Sequence, residues 1–209
     1  MSALLQLSRL IDRLNEFVGR WVSWLVLAAV LISAINASVR KALNTSSNAF
    51  LEIQWYLFAA VFLLAAGYTL LRQEHVKIDV ILGRFSRRTQ VKVEIFGLLA
   101  FLLPFVLVVI EQVTPLVFQA YRTGEMSSNA GGLIRWPVYA LVPAGFLLLG
   151  LQGISEVIKR IGFLQGKADD PGAKKKQEKS AEEELAEEIR RRAEADAAAA
   201  AAAAQGAQR

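Results

Sequence analysis

Four stretches of the chain, residues 21–39, 50–71, 93–118 and 136–158, are nearly free of charge and long enough to cross a lipid bilayer as helices. At about 1.5 Å of rise per residue, each matches or exceeds a hydrocarbon core of roughly 30 Å. Lipid offers the backbone no hydrogen bonds, so a run of this length satisfies itself only by coiling into a helix. Composition sharpens the point. Apolar residues make up 54% of the chain and charged ones 21%, and the two kinds are segregated into blocks instead of interleaved at a helical or strand period, as one soluble core would need. The expected fold is an all-α membrane protein with four transmembrane helices, an amphipathic interfacial helix before them and a low-complexity tail after them.

Lys and Arg near the ends of the spans set the expected orientation. Arg9, Arg13 and Arg20 precede the first span, while Arg72, Lys77, Arg84, Arg87, Arg88 and Lys92 lie between the second and third. Lys159, Arg160 and Lys167 follow the fourth, with Lys174, Lys175 and Lys176 beyond. The two other loops hold only Arg40 with Lys41 and Arg122 with Arg135. The basic segments therefore fall on one side of an even-numbered bundle, and both termini are expected in the cytoplasm. The net charge of +5 belongs to these flanks, and a nucleic-acid partner is not expected.

Residues 1–20 place Leu4, Leu7, Leu10, Ile11, Leu14, Phe17 and Val18 at helical spacing, with Arg9, Asp12, Arg13, Glu16 and Arg20 on the other face. Directly before a span this pattern predicts a helix lying along the cytoplasmic interface, with packing against a partner subunit as the alternative. The segment does not have the pattern of a cleavable signal, because the apolar run after it is too long and no A-x-A site follows. Asn44 to Asn48 are turn and N-cap residues suited to opening the second helix. Pro104 and Pro115 predict a kink or an early end in the third span, since each removes a backbone donor. Beyond residue 160, Lys-rich and Glu-rich blocks and eight alanines from Ala197 predict a disordered or transiently helical tail over 161–209, with Glu187–Arg191 and Glu188–Arg192 as favourable i, i+4 pairs.

Little here is equipped for catalysis. The chain has no cysteine and one histidine, His75, which excludes disulfides, thiolate metal sites and a di-haem arrangement. No phosphate-binding glycine loop or nucleophile elbow is present, and no cofactor, metal ion or catalytic residue is expected. What remains is a set of polar residues in or beside the spans. Asn36 lies in the first span beside a stripe of small residues, Ala29, Ser33 and Ala37, which suits close helix packing either within the chain or with another subunit. Glu52, Gln54 and Trp55 stand at the outer end of the second helix, where a carboxylate also complements the helix dipole. Glu111 and Gln112 lie towards the outer end of the third, placed to pair with the neighbourhood of Glu52 through water or with Arg122. His75 and Asp79 close the second helix on the cytoplasmic side, where a turn held by local hydrogen bonds is favoured over a proton relay.

The run Leu51-Glu52-Ile53-Gln54-Trp55-Tyr56-Leu57-Phe58, continued by Ala65-Ala66-Gly67-Tyr68 and His75-Val76-Lys77-Ile78-Asp79, resembles the small membrane subunit of tripartite ATP-independent periplasmic (TRAP) transporters. Gly131-Gly132-Leu133-Ile134-Arg135-Trp136-Pro137 and Leu149-Gly150-Leu151-Gln152 are similar to the same family, and the resemblance covers roughly residues 10–160. It implies a bacterial inner-membrane secondary transporter of three parts. An extracytoplasmic binding protein captures an organic acid, C4-dicarboxylates being the family-level guess, and a large permease subunit carries it by symport with sodium. The small subunit supports the large one. The resemblance gives Glu52, Gln54, Trp55, His75 and Asp79 structural or subunit-contact roles. The residues themselves agree, since no internal repeat or broken helix marks a midplane site. A self-associating stand-alone channel or exporter is the alternative.

Overall fold

The computed structural model describes residues 2–43, 48–73, 84–171 and 188–192. Two units are distinguished, Met1–Ala168 and Asp169–Arg209. The first holds four helices, α1 (Ser2–Leu43), α2 (Asn48–Arg72), α3 (Arg87–Thr123) and α4 (Trp136–Leu164), each long and apolar enough to cross a membrane. In the second, residues 188–192 are helical and carry the expected Glu188–Arg192 pair at 2.6 Å on an exposed surface. Glu187, the run from Ala197, the turn at 44–47, His75 and Asp79 lie outside the described residues.

At α4 the bundle has its centre. In its most apolar stretch 44% of the residues are buried, against 11–17% in the other three helices, because α1, α2 and α3 all pack on it. Such closeness needs small residues, since apolar side chains gain nothing by leaving lipid for one another. At Gly145 an added Cβ would stand 2.5 Å from the Leu63 carbonyl oxygen of α2, so the two backbones meet where no side chain fits.

The chain departs from expectation at its beginning. No break separates an interfacial segment from a first span: α1 is one continuous helix of 42 residues, about 63 Å long. Its burial also departs from the expected apolar face. Ser8, Asn15, Val22, Ala29 and Asn36, seven residues apart, form the buried seam, whereas Leu4, Leu7, Leu10, Leu14, Phe17, Trp21 and Trp24 are exposed. Of the amphipathic stretch, Ser8, Ile11 and Asn15 are thus buried, while most of its apolar residues, and Arg9, Arg13 and Arg20 with them, face outwards. A seven-residue seam is the periodicity of helices packed nearly parallel. The small-residue stripe is used within the chain, with Ala29 buried and the Ser33 hydroxyl donating to Gln54 Oε1 on α2 at 3.2 Å.

The third helix neither ends nor breaks at its prolines. It runs from 87 to 123 through Pro115, with one π-helical turn, Leu98–Leu102, just ahead of Pro104. There the Leu103 N–H bonds the Leu98 carbonyl, five residues back. Widening the helix by one residue makes room before a ring that would clash with the carbonyl four residues behind it.

Two ends follow from the packing. At the loop end α1 finishes, α2 begins and residues 124–135 connect α3 to α4. At the other, here called the basic end, α1 begins and α4 finishes: Ser8 meets Ser155, Glu16 pairs with Arg72 at 3.4 Å, and Arg160 bonds Glu94 at 2.7 Å. Arg9, Arg13, Arg20, Arg88 and Lys92 all belong to this second end.

Candidate functional site: polar clusters at the two ends of the bundle

At the loop end Glu52, 97% shielded from solvent, acts as a clamp. Its carboxylate accepts the Leu133 N–H at 2.6 Å, the Asn129 amide at 2.8 Å and a short hydrogen bond from the Ser127 hydroxyl. Gly132 makes the approach possible, since a Cβ there would stand 2.5 Å from Ser127 Cβ and 2.9 Å from Glu52 Oε1. Two further bonds tie the same loop to α2, Asn48 Nδ2 to the Ala130 carbonyl and the Tyr56 hydroxyl to the Ile134 carbonyl, both at 2.9 Å. The loop closes on itself through a Met126–Ile134 bridge and an Arg135–Glu125 ion pair at 3.3 Å. Hydrogen bonding to Tyr139, and then Glu125, push the Arg135 guanidinium above its ordinary pKa, so it is a fixed cation. Local sequence explains the hairpin: Ser127, Asn129, Gly131 and Gly132 favour turns, and Gly131 sits at φ 69°.

The other expected residues of this end divide. Gln54 is half-buried and accepts from Ser33, Trp55 is 66% exposed, and Asn36 is buried without a hydrogen bond to a described residue. Glu111 and Gln112 are exposed on α3 and pair with neither Glu52 nor Arg122.

The basic end holds a larger cluster that the sequence reading did not assemble. Asp12 on α1 accepts from Ser155 at 2.7 Å, from Gln152 at 2.9 Å and from Lys159 at 3.1 Å, all on α4. Asn15 donates to Gln152 Oε1 at 3.0 Å, and the Ser8 and Ser155 hydroxyls are 2.7 Å apart. Glu156 is fully buried and forms short ion pairs with Lys159 and Arg160, and Arg160 reaches across to Glu94 on α3. Three carboxylates (Asp12, Glu94, Glu156) thus face three cations (Arg87, Lys159, Arg160), so each charge of the cluster has an opposite one beside it. Among the buried side-chain atoms Asn15 Oδ1 has no hydrogen-bond partner. A Cβ on Gly67 would strike it, so a Gly67 Cα–H points at this oxygen as a weak donor. The signal that could have found the cluster is the spacing of polar residues inside apolar helices: 8, 12, 15 on α1 and 152, 155, 156, 159 on α4.

Chemically, both clusters hold helices and a loop in place. Their carboxylates already accept from the chain's own donors, and among the described residues no three acidic or histidine side chains gather to hold a metal ion. Comparison with known proteins supplies the context. The family described as "Tripartite ATP-independent periplasmic transporters, DctQ component" matches residues 29–162. The chain belongs to this DctQ family. It is therefore a small membrane component of a TRAP transporter, a multi-pass membrane protein, and the match spans the Glu52 clamp as well as the α4 half of the basic-end cluster. A search of the curated proteins finds no match.

Proposed function

We propose that this DctQ component is a static, non-catalytic support for the large permease subunit of an importer of organic acids, C4-dicarboxylates among them, driven by an ion gradient. It works in the bacterial inner membrane with both termini in the cytoplasm, and an extracytoplasmic binding protein delivers substrate from the loop side. The observation that carries this reading is the state of the buried carboxylates. Glu52 and Glu156 are both engaged by donors of the same chain, which favours rigidity over ligand exchange. Transport cores, by contrast, build midplane sites from interrupted helices with free backbone groups. The gathering of Lys and Arg at the basic end supports the orientation.

Reconstitution tests the proposal. Liposomes holding the large subunit together with this chain, supplied with binding protein and a sodium gradient, should accumulate the acid. Liposomes holding this chain alone should not. Uptake by the chain alone would overturn the supporting role and favour a self-sufficient channel.

A further inference from the structure

Helix α3 packs on α4 with one face and leaves the opposite one open, a stripe that includes Leu107, Glu111, Pro115, Phe118 and Arg122. Leu107 is 67% and Phe118 58% exposed, as lipid-facing residues would be, but Glu111 does not suit lipid. Its depth can be read along the helix. Tyr121 stacks edge-on against Trp136 at 5.5 Å, the kind of aromatic pair that marks an interface. Glu111 lies ten residues before Tyr121, about 15 Å further in, and seventeen residues after Glu94, about 25 Å from the basic-end cluster. A hydrocarbon core of roughly 30 Å therefore has this carboxylate near its centre, and not towards the outer end where the sequence alone puts it.

A second acceptor stands at the same residue. The N–H that would reach the Glu111 carbonyl belongs to position 115, which is proline and has none. The neighbouring Thr114 hydroxyl is taken by the Ile110 carbonyl at 2.6 Å. An exposed carboxylate and a carbonyl stripped of its helical donor, both in mid-membrane, call for a donor from outside the chain. Another copy of this chain cannot bring a cation there, because residues 21–39, 48–71, 93–121 and 136–158 contain no Lys or Arg.

We infer that the outward face of α3 around Glu111 is the seat of a transmembrane helix of the large permease subunit, which presents a Lys or an Arg to Glu111 at mid-depth. The inference rests on the proposed association with that subunit, and the test separates the two. Spin labels at L107C and F118C, placed in the cysteine-free chain, report oxygen accessibility in bilayers with and without the co-expressed large subunit. Accessibility should fall several-fold in the complex, and Glu111→Leu should lower recovery of the large subunit several-fold while Glu111→Gln, which keeps an acceptor, lowers it less. Equal labelling accessibility in the two preparations, or full recovery with Glu111→Leu, would show a lipid-facing stripe and overturn the inference. Cross-linking of L107C between two copies would assign the face to self-association and overturn it as well. If Glu111→Leu also lowers the thermal stability of the chain alone, the labelling result decides. Failure of the unmodified chain to bring down any large subunit would instead strike at the proposed function itself.

Discussion

Asn15 on α1 donates its amide to Gln152 Oε1 on α4 at 3.0 Å, and both side chains are wholly buried. The bond joins the amphipathic N-terminal segment to the central helix by a polar seam and not by its leucines. In water that arrangement would be upside down. In lipid it is economical, because apolar side chains gain nothing by leaving acyl chains for one another, while a polar pair sheltered between helices finds its partners.

Asn15→Leu should therefore destabilise the chain although it adds an apolar side chain. The expected loss is about 1 kcal/mol, in the range measured for interhelical hydrogen bonds in membranes. Unfolding of the purified chain in mixed micelles measures it, and a variant as stable as the parent would mean that shape alone holds α1.

Glu156→Leu should be far more costly, about 3 kcal/mol, since Lys159 and Arg160 lose a buried counter-charge. Arg160 keeps Glu94, which places the loss at the low end for a broken buried pair. Replacing Glu156 and Arg160 together with apolar residues should recover much of the loss in the same unfolding assay.

Glu52→Ala should free residues 124–135 without unfolding the bundle. Amide exchange at Leu133, whose N–H the carboxylate accepts, should rise strongly while exchange in the middle of α4 stays slow. Unchanged protection at Leu133 would show that the hairpin holds itself through its own bonds.

Gly145→Val should push α2 from α4, because the atom it meets first is the Leu63 carbonyl oxygen and not the end of a flexible side chain. A destabilisation of about 1–3 kcal/mol is expected, measured by the thermal midpoint in detergent. A substitution without effect would mean that the helices do not approach at this point.

Orientation is open to labelling, since the chain has no cysteine of its own. A membrane-impermeant maleimide added outside intact cells or spheroplasts should modify S128C in the exposed loop and spare S86C. The reverse pattern would invert the topology.

The sequence by itself determined that four helices are long and apolar enough to cross a membrane, where the basic flanks gather and, through the motif around Glu52, the family. These are local properties: freedom from charge over twenty or so residues is decisive in lipid whatever the neighbours do. Only tertiary structure decided which polar groups meet. Glu52 was visible as a candidate, but its three donors lie 75 to 81 residues away in a loop whose approach Gly132 permits. Asp12 reads as part of the polar face of residues 1–20, and nothing in the sequence singles out Asn15 or Glu156, because periodicity follows where apolar residues fall. In α1 the heptad that matters is Ser8, Asn15, Val22, Ala29 and Asn36, and it runs along the other face. The reason lies in the solvent. Water makes the apolar face the buried one and lets it be read from sequence, whereas lipid removes that preference and leaves packing and hydrogen bonds between distant residues to choose.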